Sequence, residues 1–371
     1  MMNESNISLF TGTFGLLING LMCNDPQLEE LIDVNINKLE NNSLMNTTFC
    51  TGISGSLWVL LLLKRADVIE FEEGFFTEID NIIQSYTKKL VDLNNLDFLH
   101  GAMGNVFYLV NNMKNHFFLS KLIMKINSQR KQFRNKQVFF YENFPDPEKY
   151  IQMKISLGLS HGLPGFIVVF TKLYNKNIQS NLCKEIVQDQ INFILELENP
   201  NRTIREHAFY PTSISLEDEH FYSSRLAWCY GDLGIAMAFY ISGDILREEN
   251  WKNKAFEIFD YYIEVKGDIN AGIVDAGICH GVAGVALIYY CIHYKTKNEK
   301  YFKEAKYWLS ELEQYQIIDK LGNITYGSYS HETKSFEKNE TFLEGTCGVE
   351  IVINTITNKL DPSWAECLLI Y

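Results

Sequence analysis

The chain has 371 residues, 46% of them hydrophobic, and a formal net charge of -13 at pH 7. That supplies a sizeable core for one large domain and excludes a nucleic-acid backbone as the main partner. The longest apolar run, Leu57 to Leu63, is too short to cross a bilayer. Met1 to Asn6 carries no basic residue and no signal-peptide pattern follows, so the eight scattered cysteines are expected to be reduced thiols of a cytoplasmic protein.

A Gly-x-x-Gly element recurs seven times along the chain, at Gly12/Gly15, Gly52/Gly55, Gly101/Gly104, Gly162/Gly165, Gly231/Gly234, Gly281/Gly284 and Gly345/Gly348. A mostly apolar helical segment follows each pair, as in Leu57 to Leu63, Phe166 to Leu173, Ile235 to Ile241 and Val285 to Ile292. A helix apolar nearly all round is buried on most sides. Amphipathic helices come next. Their stripes are Leu28, Leu31, Ile32, Ile36 and Leu39; Ile79, Ile82, Ile83, Tyr86 and Leu90; Ala255, Ile258, Phe259 and Tyr262; and Phe302, Ala305, Leu309 and Leu312. The unit is an inner helix followed by an outer one. Seven such hairpins predict an all-α protein, an α/α toroid, in which residues 1–371 form a single domain. An open solenoid is the rival, but the first and last inner helices carry no polar face to cap an array.

One stretch breaks the pattern. Lys114, Lys121, Lys125, Arg130, Lys131, Arg134 and Lys136 occur without an acidic residue among them, Gln137 to Tyr141 reads as a short strand, and Pro145 and Pro147 mark a turn. Residues 114–156 are therefore expected to form a small inserted lobe.

Aligning the repeats on their first glycine maps one rim. The residue just before it is Thr11, Thr51, His100, His161, Tyr230, His280 and Glu344; the one before that is Phe10, Cys50, Leu99, Ser160, Cys229, Cys279 and Leu343. Cys229 and Cys279 hold equivalent places in consecutive repeats, and His280 adjoins Cys279. Two thiolates and an imidazole suit zinc and leave a fourth position open for catalysis. The competing interpretation is that these cysteines are small core residues. Cys50 belongs to a repeat across the ring, while Cys347 is the runner-up ligand. Cys23, Cys183, Cys291 and Cys367 fall in helical segments and are expected to pack. His161 has two interpretations, an acid or base and a structural hydrogen bond at a helix start. For His100 the structural one is preferred. Asp97 either orients a histidine or complements a helix dipole.

The segments Leu157 to Gly165, Arg225 to Gly231, Ile278 to Gly281 and Phe342 to Gly345, with the seven glycine pairs, resemble the signature segments of lanthionine synthetase C proteins, over essentially the whole chain. The resemblance implies a stand-alone zinc cyclase that closes thioether rings in a lantibiotic precursor. By matching, Cys229, Cys279 and His280 take the place of the zinc ligands and His161 that of the acid/base histidine. Asp97, Arg225, Trp228 and Tyr230 match polar and aromatic residues around the metal. The resemblance also implies an extension where the basic stretch lies. The partners it implies are a dehydrated precursor with its leader, and a separate dehydratase and transporter that would bring the cyclase to the membrane periphery; nucleic acid is not among them. Three rivals remain: a relative that adds glutathione to dehydrated residues, a non-catalytic zinc-containing peptide scaffold, and a helical-barrel glycosidase built on Asp97, Asp232 or Glu344.

Overall fold

The computed structural model describes residues 6–41, 46–72, 74–133, 136–138, 154–215, 222–318, 320, 322–330 and 333–371. Its α-helices are α1 (Phe14–Cys23), α2 (Leu28–Glu40), α3 (Ile53–Arg65), α4 (Thr77–Asp92), α5 (Ala102–Asn111), α6 (His116–Asn127), α7 (Leu163–Asn175), α8 (Ser180–Leu195), α9 (Asp232–Leu246), α10 (Glu249–Val265), α11 (Val282–Thr296), α12 (Glu299–Ser310) and α13 (Thr346–Thr357). The odd-numbered helices each begin at a Gly-x-x-Gly element and are the apolar ones. In α5 every residue from Ala102 to Val110 is buried, and in α11 every residue from Val282 to Ile292.

By contacts the chain divides into two compact units, residues 1–72, 226–228 and 272–371, and residues 73–225 and 229–271. In the first, α1 packs against α3 on one side and α13 on the other, and α13 also packs on α11. The first and last inner helices are thus neighbours. α2 backs α1 and α12 backs α11. An antiparallel sheet of β5 (Gln316–Ile318), β6 (Ile324–Ser330) and β7 (Ser335–Lys338), with β6 central, sits between α12 and α13 in the chain. In the second unit α7 packs between α5 and α9, with α8 behind α7, α10 behind α9, and α4 and α6 against α5.

Of the stretch expected to be an inserted lobe, residues 116–127 form α6, the outer helix of the third repeat. It buries Leu119, Leu122, Ile123 and Ile126. A hairpin follows, β1 (Lys131–Phe133) with β2 (Lys136–Val138). β2 covers the start of the expected strand at 137–141; residues 139–153, with Pro145 and Pro147, lie outside the described residues. β3 (Lys154–Ser156) then pairs with β4 (Ser213–Ser215). Two of the basic side chains have acidic partners on neighbouring elements: Arg130 bridges Glu185 and Asp189 of α8 at 2.7 and 2.6 Å, and Lys125 pairs with Asp92 of α4. Among the described residues no helix is long and apolar enough to cross a membrane.

Candidate functional site

Six of the seven rim loops are built the same way, the exception being the fifth, which has Arg225 at the key position. The residue six positions before the first glycine turns its side chain onto the backbone N–H two residues later. Asn6 accepts from Ser8, Asn46 from Thr48, Asn95 from Asp97, Ser156 from Gly158, Asp275 from Gly277 and Asn339 from Thr341, at 2.9 to 3.4 Å. This is the local turn that Asn, Asp and Ser side chains favour. The glycine then sits against that same residue. A Cβ on Gly281 would lie 2.4 Å from Asp275 Oδ1, and one on Gly231, whose φ is +112°, would lie 2.1 Å from the Arg225 carbonyl oxygen. Only a residue without a side chain fits there.

The loops are laced together by the residues two before each glycine. Within the first unit, Phe10 N–H donates to the Cys50 carbonyl, Leu343 N–H to the Phe10 carbonyl, and Cys279 N–H to the Leu343 carbonyl. Within the second, Ser160 N–H and Oγ donate to the Cys229 carbonyl. The column read from the glycine alignment is a physical belt at these steps.

In the second unit the residues just before the glycines converge. His161 Nδ1 lies 2.7 Å from Asp97 Oδ2, while Asp97 Oδ1 accepts the His100 N–H at 2.5 Å. The His100 ring stacks on His161 at 5.8 Å, and Tyr230 stacks at 6.0 Å. Cys229 is buried beside them in sequence and Arg225 is exposed. Burial works against a proton on His161, but the Asp97 hydrogen bond and charge, with Cys229, outweigh it, so its pKa is raised. His100, penalised by burial and by His161 with only the Asp97 charge in its favour, is shifted down.

In the first unit Cys279 and His280 precede α11. His280 Nδ1 stands 3.2 Å from Oδ2 of the wholly buried Asp275. A carboxylate on one ring nitrogen of a ligating histidine is the usual support for metal binding through the other. Beside this loop lies Glu344, whose backbone packs against Gly277. A cleft of about 420 Å³ opens there, lined by Asn6, Thr11, Ser328, Glu337, Asn339 and Glu344 among others.

The donor chemistry of Cys229, Cys279 and His280 suits zinc. Among the described residues, however, no group of three or more His, Cys, Asp or Glu side chains is gathered as a metal site. The runner-up Cys347 is core: its thiol is 3.6 Å from the Gly15 carbonyl and burial pushes its pKa far up. Burial likewise holds Cys183 (pushed up to about 12), Cys291 and Cys367 as thiols. No disulfide occurs among the described residues.

Two residues named from the sequence are wholly buried. Trp228 is fully buried, its indole N–H donated to the Leu368 carbonyl at 2.6 Å and its ring edge-on to Phe10. Its surroundings are those of a core residue. Asp232 has no exposure and accepts from the Phe209 and Tyr210 N–H groups and the Tyr262 hydroxyl. With Asp97 committed to His161 as well, the glycosidase rival loses two of its three carboxylates. The stacked His100 is the neighbour that sequence reasoning set aside; its place just before Gly101 was the available signal.

Residues 70–369 match the family model of lanthionine synthetase C-like proteins. The nisin biosynthesis protein NisC of Lactococcus lactis subsp. lactis is 24% identical over 367 residues, covering 93% of this chain and 82% of that protein. The solved structure of nisin cyclase superposes with a TM-score of 0.77 at 19% identity, over 99% of this chain and 93% of the other. The expected fold class, the α/α toroid, is the fold of that structure.

Proposed function

Because the chain belongs to the lanthionine synthetase C-like family, we propose that it is a peptide cyclase that adds cysteine thiols of a dehydrated precursor to dehydroalanine or dehydrobutyrine, forming (methyl)lanthionine rings. The observation that carries this reading is the Asp97–His161 pair, set on the rim loops of a family member with Tyr230 and His100 stacked on its two sides. Cys229, Cys279 and His280 would hold one zinc ion, which supplies thiol activation by stabilising the deprotonated sulfur.

The reaction forms a sulfur–carbon bond at the β-carbon while the π electrons of the double bond move toward the carbonyl. The thiol proton leaves, and the α-carbon must gain one. Asp97 fixes His161 through Nδ1, which directs Nε2 to the substrate. Against the cost of burial, the Asp97 hydrogen bond and charge raise the pKa and so favour the protonated ring, and His161 Nε2 donates to the α-carbon. The exposed Arg225 offers positive charge to the developing enolate. The cleft lined by Thr11, Ser328 and Glu344 would give the peptide room on the rim. A dehydratase must supply the dehydro residues, and a transporter takes the product onward.

The test is to incubate purified protein with a dehydrated precursor, alkylate the remaining thiols, and count them by mass, with zinc measured in parallel. About one zinc per chain and loss of alkylatable cysteines are expected. Full zinc content in Cys279→Ala, or no faster ring closure than in buffer, sinks the reading.

A further inference from the structure

Six of the seven rim loops share one device, the fifth carrying Arg225, which has no side-chain acceptor; in the sixth the device bears a carboxylate. Six positions before the first glycine stand Asn6, Asn46, Asn95, Ser156, Arg225, Asp275 and Asn339. Where asparagine occupies the place, Oδ1 accepts the turn N–H. In the first three loops Nδ2 then reaches the residue just before the glycine. Asn6 Nδ2 donates to the carbonyl and hydroxyl of Thr11, Asn46 Nδ2 to the Thr51 hydroxyl, and Asn95 Nδ2 to the His100 carbonyl. The second atom of this side chain is therefore aimed at that residue by the turn itself.

In the sixth repeat the residue is Asp275 and its target is His280. Oδ1 makes the ordinary turn, accepting from Gly277 N–H at 3.0 Å. Oδ2 stands 3.2 Å from His280 Nδ1, a charge contact off the line of a hydrogen bond, so that its influence on the ring is electrostatic, and the Tyr329 N–H of β6 meets the same oxygen at 3.5 Å. The carboxylate has no exposure, so neither contact is shared with bulk water. Of the two anchors, the turn needs only an acceptor, which asparagine supplies in four other repeats. A negative oxygen facing an imidazole is needed for nothing in the turn.

We propose that Asp275 is a positioning residue that fixes the His280 tautomer: it holds the proton on Nδ1 and leaves Nε2 as the lone-pair nitrogen facing away from the loop. Asparagine here would keep the turn but present Nδ2–H to the ring. Two donors cannot face each other, so the imidazole would shift its proton to Nε2 and lose the lone pair there. The consequence for metal binding rests on the reading of His280 as a zinc ligand; the tautomer does not.

The experiment uses full-length protein labelled with ¹⁵N-histidine, stripped of metal, at a pH where the imidazole is neutral, with His280→Gln to assign the resonance. The expected result is the Nδ1–H form in the wild type and the Nε2–H form in Asp275→Asn, at unchanged helical content. Zinc affinity, read by competition with a chromophoric chelator, should fall about 10- to 100-fold in Asp275→Asn. Asn46→Asp, the same exchange reversed in a repeat that targets Thr51, should leave both readings as in the wild type. Asp275→Asn with an unaltered His280 tautomer overturns the proposal whatever the metal does. A tautomer switch in a protein whose wild type takes up no zinc upholds the positioning role and removes the metal reading instead.

Discussion

A histidine before a glycine means little alone; what gives His161 a role is its surroundings. Asp97 Oδ2 takes one ring nitrogen, and two other rings flank the imidazole. His161→Asn should leave helical content and zinc intact and slow ring closure by about 10²–10⁴-fold, the usual worth of a positioned acid or base. Dehydrated peptides can cyclise without help, so ring pattern should be scored by fragmentation together with rate. Wild-type rate and pattern would make His161 structural and pass proton delivery to Tyr230, His100 or water. The sequence placed His161 and His100 in one column but could not choose between catalytic and structural interpretations. The choice depends on which side chains meet across loops 61 residues apart, and glycine spacing carries no such information. Trp228 shows the reverse: it lies next to Cys229 in the chain, yet its indole N–H is committed to Leu368 in the core.

Helix positions were legible because burial imposes a period. α10 buries Ala255, Ile258, Phe259 and Tyr262, the stripe read from the sequence. α4 drifts from expectation, because its buried stripe is Asp80, Ile83, Thr87 and Val91, and Tyr86 is exposed. Polar residues hold those inner places since each is satisfied: Asp80 accepts from Tyr108, Asn112 and Asn115, and Thr87 donates to the Ile83 carbonyl. A hydrophobic count cannot foresee that. The strands other than β2 escaped for a related reason, being three to seven residues long with little alternation. Asp232 is the element-scale anchor, tying the start of α9 to α10 and to the loop at Phe209 and Tyr210. Burial raises its pKa to about 6 against the three hydrogen bonds that lower it, above the roughly 3.9 of an unfolded aspartate. The native state therefore binds this proton more tightly. The stabilisation is full below about pH 4 and is lost as pH rises through about 6. Asp232→Asn should abolish that slope in urea titrations run from pH 4 to 7. It should also cost about 1–3 kcal/mol at pH 7, because the amide keeps one acceptor oxygen and its NH₂ would face the backbone donor that the other carboxylate oxygen now accepts. A slope that survives the substitution assigns the titration to another group.

At the scale of the whole chain, the question is how the last repeat finds the first. The answer in the first unit is an aromatic cluster on the belt of rim loops. Phe10 has no exposure; it stacks on Phe342 at 5.8 Å and meets Phe49 and Trp228 edge-on, while Phe342 in turn meets Trp364. Its backbone is held on both sides, by the Cys50 carbonyl and by Leu343 N–H, and the Leu343 carbonyl holds Ile278 and Cys279. One residue thus joins loops that begin about 330 positions apart in the chain. Closing so long a loop costs entropy before it returns any contact, and burial of a large ring at the junction is what offsets it. Phe10→Ala should then lower stability by about 3–5 kcal/mol, the range for an aromatic cavity that cannot fully collapse. Phe10→Leu, which keeps most of the volume, should cost about 1–1.5 kcal/mol. Urea midpoints at constant m-value measure both. The backbone belt does not depend on the side chain, so Phe10→Leu should retain the circular dichroism of the wild type. If Phe10→Ala unfolds at the wild-type midpoint, the cluster is not what seats the last repeat against the first, and the work falls to the packing of α1 on α13 alone.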